Sequence, residues 1–107
     1  MMGRWVDVCA TTEVDEEDLI SVEFEGHDYA IYHDEEGEFF ATDAHCTHEK
    51  VNLCDGFVEG DTIECPKHNG RFNFKTGEGL GAPVCIDLKT YPCKVENERV
   101  LIELVEV

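Results

Sequence analysis

Three observations predict an all-β fold, an antiparallel sandwich or barrel. Short runs of alternating apolar residues recur along the 107-residue chain, turn-forming pairs separate them, and no window carries the apolar period of a long amphipathic helix. In chain order, Trp5 to Cys9 reads as the first strand. Leu19 to Phe24 sets Ile20, Val22 and Phe24 on one face, Glu25-Gly26 turns, and His27 to His33 returns. Glu35-Glu36-Gly37 turns again before Glu38 to Thr42. Towards the C-terminus three alternating sets follow: Val84, Ile86 and Leu88; Tyr91, Cys93 and Val95; Val100, Ile102 and Leu104. Asn97-Glu98 sits between the last two as a hairpin turn. Such evenly spaced short strands suit a sandwich or barrel. The run Asp15-Glu16-Glu17-Asp18 reads as a solvated loop.

The stretch from about Asp43 to Gly79 differs, with scattered glycines and only short strand-like pieces, Thr62-Ile63-Glu64 and Phe72-Asn73-Phe74. It reads as an insertion in a single domain, whose base is residues about 1–42 and 80–107. It also carries Cys46-Thr47-His48 and Cys65-Pro66-Lys67-His68, with sixteen residues between His48 and Cys65. Each segment holds one thiolate and one imidazole. Such a split suits an unequal, sulfide-bridged pair of irons, one taking both thiolates and the other both imidazoles. Zinc also accepts two Cys and two His, but zinc sites usually pair Cys with Cys and His with His, which this chain does not do. His27 and His33 lie in a strand-like run and read as ordinary surface or edge residues. His45 precedes the first segment and is not in a ligand position.

Charge and size narrow the function. With 25 acidic and 8 basic residues the formal charge is −17. That field repels nucleic acid and anionic membranes; the surplus reads either as solubility, with acidic residues covering solvated strand faces, or as salt-dependent attraction for basic protein patches. No apolar run approaches the ~20 residues of a membrane span, and the start resembles neither a signal nor a transit peptide, so a cytoplasmic protein is expected. Of six cysteines, Cys9, Cys54, Cys85 and Cys93 fall outside the motif and read as buried small hydrophobes, with a free thiol near the site open for Cys54.

Over essentially its whole length the chain resembles the small Rieske ferredoxins that serve bacterial aromatic-ring-hydroxylating oxygenases. The resemblance rests on Cys46-Thr47-His48, Gly56, Gly60-Asp61, Ile63-Glu64-Cys65-Pro66, His68, Phe72 and Thr76-Gly77. It implies the Rieske fold, an antiparallel base with a small inserted cluster-binding subdomain. It implies one Rieske-type [2Fe–2S] cluster, with Cys46 and Cys65 on one iron and His48 and His68 on the other. Gly79-Leu80-Gly81-Ala82-Pro83 resembles the family's proline loop, which helps cover the cluster. Two positions depart from the pattern: Glu49 and Asn69 stand where glycine is common. These departures bear on partner docking more than on cluster binding. Lys50, Lys67 and Arg71 lie near the ligands and read equally as docking charges or plain surface.

The resemblance further implies a monomeric carrier of single electrons, with no catalytic site of its own. Its partners would be a flavin-containing ferredoxin reductase and a terminal Rieske oxygenase. The alternative is a Rieske-fold small subunit of another reductase, such as assimilatory nitrite reductase. Respiratory Rieske proteins carry an extra cysteine in each ligand loop, where this chain has Val51 and Lys67. They place hydroxyl donors where it has Gly70 and Phe72. Hydroxyl bonds to sulfur favour the reduced state, so a low potential is expected, near the about −150 mV end of the Rieske range. About thirty residues follow Gly77, too few for an oxygenase catalytic domain.

Overall fold

A computed structural model describes residues 3–45, 52–65, 70–80 and 87–105. Ten strands are formed among them: β1 (Gly3–Ala10), β2 (Asp18–Phe24), β3 (His27–His33), β4 (Phe39–Asp43), β5 (Phe57–Glu59), β6 (Thr62–Glu64), β7 (Arg71–Asn73), β8 (Thr90–Tyr91), β9 (Cys93–Glu96) and β10 (Arg99–Val105). Two short 3₁₀ turns, Thr11–Glu13 and Leu53–Asp55, complete the regular elements, and no α-helix occurs among the described residues. The strands make three antiparallel sheets, ordered β1-β10-β9, β2-β3-β4-β8 and β5-β6-β7. The all-β expectation therefore holds.

The first two sheets face each other as a sandwich. Val6, Cys9, Val100 and Ile102 of one meet Tyr29, Ile31 and Ala41 of the other. Their hairpins are closed by two-residue turns with both central residues at positive φ: Glu25 at 52° and Gly26 at 81°, Asn97 at 51° and Glu98 at 63°. That backbone matches the twist of the flanking strands.

The third sheet, β5-β6-β7, lies within the segment read as an insertion. It shares a second core with the opposite face of β3 and with β4: Ala30, Tyr32, Leu53, Ile63, Cys65, Phe72, Phe74 and Leu88 are buried together. Tyr32 stacks on Phe74 at 4.6 Å between ring centroids and 3° between planes, and its hydroxyl meets Thr42 Oγ1 at 2.9 Å. Lys75 Nζ reaches Asp34 Oδ2 in the β3–β4 turn and Asp61 Oδ1 in the β5–β6 turn, both at 3.0 Å. One cation thus ties the third sheet to the base.

Two strand expectations change. Tyr91, Cys93 and Val95 do not form one strand. Pro92 lacks an amide and splits the run, so β8 pairs with β4 whereas β9 pairs with β10. The chain changes sheets there, and the Pro92 carbonyl accepts from the Glu103 amide at 2.9 Å. Leu88 lies outside any strand; its amide is bonded to the Gly77 carbonyl at 2.7 Å. Val84 and Ile86 lie outside the described residues.

Candidate metal centre

Three loop necks converge on the second core. The first leaves β4. Ala44, fully buried, donates its amide to the Asp28 carbonyl at 3.1 Å, and His45 forms an antiparallel bridge with Asn52. The Leu53 amide returns to the Ala44 carbonyl at 2.7 Å. The residues flanking 46–51, the segment with Cys46 and His48, are therefore held together at one closed point. Asn52 holds the returning limb, because its side chain accepts the Cys54 amide at 2.8 Å and caps the 3₁₀ turn.

The second neck joins β6 to β7. The amide of Cys65 donates to the Gly70 carbonyl at 2.6 Å, closing residues 66–69, among them His68. The two necks touch through Gly56. A Cβ there would lie 2.0 Å from the carbonyl oxygen of Glu64, the residue before Cys65, so only glycine permits this approach. The third neck pairs Phe72 with Gly79, and Gly79 donates its amide to Asp87 Oδ1 at 2.9 Å. It closes residues 81–86, including Pro83.

Of the four predicted ligands, Cys65 is described, and it is fully buried beside Leu53, Ile63 and Phe72. Cys46, His48 and His68 lie outside the described residues, as do Glu49, Lys50, Lys67, Asn69, Pro83 and Cys85. Arg71 is engaged internally, with Nε 3.0 Å from Glu64 Oε1. His27 Nε2 meets Asp43 Oδ1 at 2.7 Å, and His33 Nδ1 meets the Val14 carbonyl at 2.8 Å. His45 stands 3.9 Å from Asp28.

The Rieske [2Fe–2S] domain family matches residues 4–92. The chain belongs to this family. The Rieske domain is 48% identical over 104 residues to the ferredoxin component of a naphthalene 1,2-dioxygenase system from Pseudomonas aeruginosa, covering 97% of this chain and 99% of that one. Among solved structures, the ferredoxin of Sphingomonas yanoikuyae B1 is 35% identical, with a TM-score of 0.89 over 95% of this chain and all of the other. A ferredoxin solved in complex with its oxygenase, from carbazole 1,9a-dioxygenase, is 32% identical, with a TM-score of 0.84 over 92% of this chain and 91% of that one.

Family membership implies a Rieske-type [2Fe–2S] cluster, and the donor set fits it. A buried thiolate on an apolar wall is costly unless it binds a cation. The Cys65 sulfur lies on such a wall, at the neck that closes residues 66–69. Like Cys65, the thiols of Cys9, Cys54 and Cys93 belong to no disulfide. Burial pushes them up to about 11, 12 and 12 respectively, so they stay protonated and inert. The sequence did not reveal Asn52, Asp87 or the Lys75 clamp. The Asn-Leu-Cys-Asp run, a polar cap before a turn, was the available signal for the first.

Proposed function

We propose that this Rieske domain carries single electrons from a flavin-containing ferredoxin reductase to a terminal ring-hydroxylating oxygenase in aromatic compound catabolism. The observation that carries the reading is the near-full-length similarity to a dioxygenase ferredoxin component, joined to a fold that holds both ligand loops at closed, touching necks. In this reading Cys46 and Cys65 hold one iron, and His48 and His68 hold the other. When bound, the cluster takes up and releases one electron. The chain's own part is to fix the donors, exclude water on the Leu53–Ile63–Phe72 side and leave the loop tips to a partner.

Gly70 and Phe72 bring no hydroxyl towards the cysteine sulfurs, which supports a low potential. Five of the six described Lys and Arg residues are paired to carboxylates, so the −17 surplus is left to the surface and suits basic partners. We place the protein in the cytoplasm as a monomeric single domain, with the cluster-binding part at residues about 43–79 and no catalytic site. Among the described residues no helix is long and apolar enough to cross a membrane.

The test is reconstitution. Purified protein should contain iron and acid-labile sulfide, give a Rieske electron-paramagnetic signal, accept electrons from a flavin reductase and sustain turnover of a ring-hydroxylating oxygenase. His48→Ala and His68→Ala should each abolish the signal. An unchanged signal in either variant would sink the ligand assignment, and iron-free protein would sink the function.

A further inference from the structure

The third sheet presents two cross-strand rows to opposite sides. Val58, Ile63, Phe72 and Gly79 are aligned across β5, β6, β7 and the third neck, and face the second core. The adjacent row is Phe57, Glu64, Arg71 and Leu80. Phe57 pairs with Glu64, Glu64 pairs with Arg71, and the Leu80 amide donates to the Arg71 carbonyl at 2.8 Å. Neighbours in such a row share a face. This one is turned outward: Phe57 is 69% exposed and Leu80 is 40% exposed.

Every member of the outward row abuts a neck of the site. Glu64 precedes Cys65, Arg71 follows Gly70, Leu80 precedes residues 81–86, and Phe57 follows Gly56. The Glu64–Arg71 ion pair fills the middle and neutralises itself, leaving an apolar residue at each end. Beside Phe57 lies an open, mostly polar groove of about 410 Å³, bordered by Glu59, Thr62, Glu64 and Arg71. Glu59 has no cationic side-chain partner among the described residues. An exposed aromatic on an edge strand invites misassociation and brings no core packing in return. Aromatic anchors ringed by polar groups are what protein interfaces use.

We infer that the Phe57–Glu64–Arg71–Leu80 row, with Phe57 as its anchor, is the surface on which the terminal oxygenase docks. The inference rests on the electron-carrier reading above. The fitting partner face carries an apolar side chain to pack on Phe57 and a Lys or Arg for Glu59. That polarity follows from the −17 charge of this chain. The row's position beside all three necks brings such a partner next to the site's described base.

The experiment is steady-state turnover of a ring-hydroxylating oxygenase with this protein as the varied component, run beside reductase-driven cytochrome c reduction. Phe57→Ala should raise the KM for the oxygenase reaction about fivefold or more, with kcat within about twofold. Phe57→Leu should recover much of the loss. The electron-paramagnetic spectrum, midpoint potential and reductase-side KM should match wild type. Glu59→Lys should raise the same KM and flatten its dependence on salt. An oxygenase KM within twofold of wild type for Phe57→Ala overturns the inference. A rise confined to the reductase side, or equal on both sides, overturns the choice of oxygenase as occupant. Wild-type protein unable to reduce an oxygenase would fail the function reading itself, a result distinct from normal wild-type turnover with an indifferent Phe57.

Discussion

Replacing Gly56 with alanine should loosen the junction between the two ligand-bearing limbs. The added Cβ would sit 2.0 Å from the Glu64 carbonyl oxygen and 3.1 Å from that of Leu53. Real Cβ contacts do not fall below 3.0 Å, so the limbs must part by about 1 Å at a backbone atom that cannot rotate away. Overpacking of that kind costs about 1–3 kcal/mol. For a domain of this size the melting temperature should drop by roughly 5–20 °C. The separation opens beside Cys65, so cluster content should fall as well. Thermal unfolding followed by circular dichroism, with iron and sulfide assayed per protein, measures both. Gly60→Asn is the control: Gly60 has φ of 58° and open space around it, and asparagine tolerates that conformation. A Gly56→Ala protein as stable and as fully loaded as wild type would refute the close-approach argument.

Asp34 should make stability acid-sensitive. Burial raises its pKa, but the amides of Glu38 and Glu36 and the Lys75 ammonium outweigh that and hold it below the model-compound value of 3.8. A depressed folded-state pKa stabilises above the unfolded value, and the contribution is lost as pH falls through the folded one. Wild type should therefore lose more stability between pH 6 and pH 3 than Asp34→Asn does, by urea titration; parallel losses would contradict it. Glu98→Gly relieves a non-glycine residue at φ 63° and creates the Asn-Gly turn that such hairpins favour. It should stabilise by up to about 1 kcal/mol, seen as a higher melting temperature. Cys9→Ser and Cys93→Ser should leave the Rieske signal in place, since both thiols lie in the sandwich core; loss of the signal would assign them to the site.

The parts of the fold legible in the sequence are those with one buried face and a recognisable turn. The hairpin of β2 and β3 and that of β9 and β10 declared themselves through alternation and the pairs Glu25-Gly26 and Asn97-Glu98. β3 was legible as a strand but not in its role. Tyr29 and Ile31 face one core while Ala30 and Tyr32 face another, so burial on both sides erases the alternation a solvated face provides. β5 escaped notice because three residues with an exposed Phe57 give no pattern. The break at Pro92 was visible as a residue, but alternation at Tyr91, Cys93 and Val95 continues across it. In the site, the candidate ligands stood out in the sequence because their spacing is chemical. The necks did not, because His45–Asn52, Cys65–Gly70 and Gly56–Glu64 are backbone contacts that side-chain identity does not encode.

Because β3 is a party wall between two interiors, neither can melt and leave the other standing. Trp5, exposed on the outer face of β1 beside Lys94, reports the first sheet, and the visible absorbance of the iron centre would report the other side. Their denaturation curves should superimpose, making loss of colour a direct gauge of global unfolding rather than of a detachable tip.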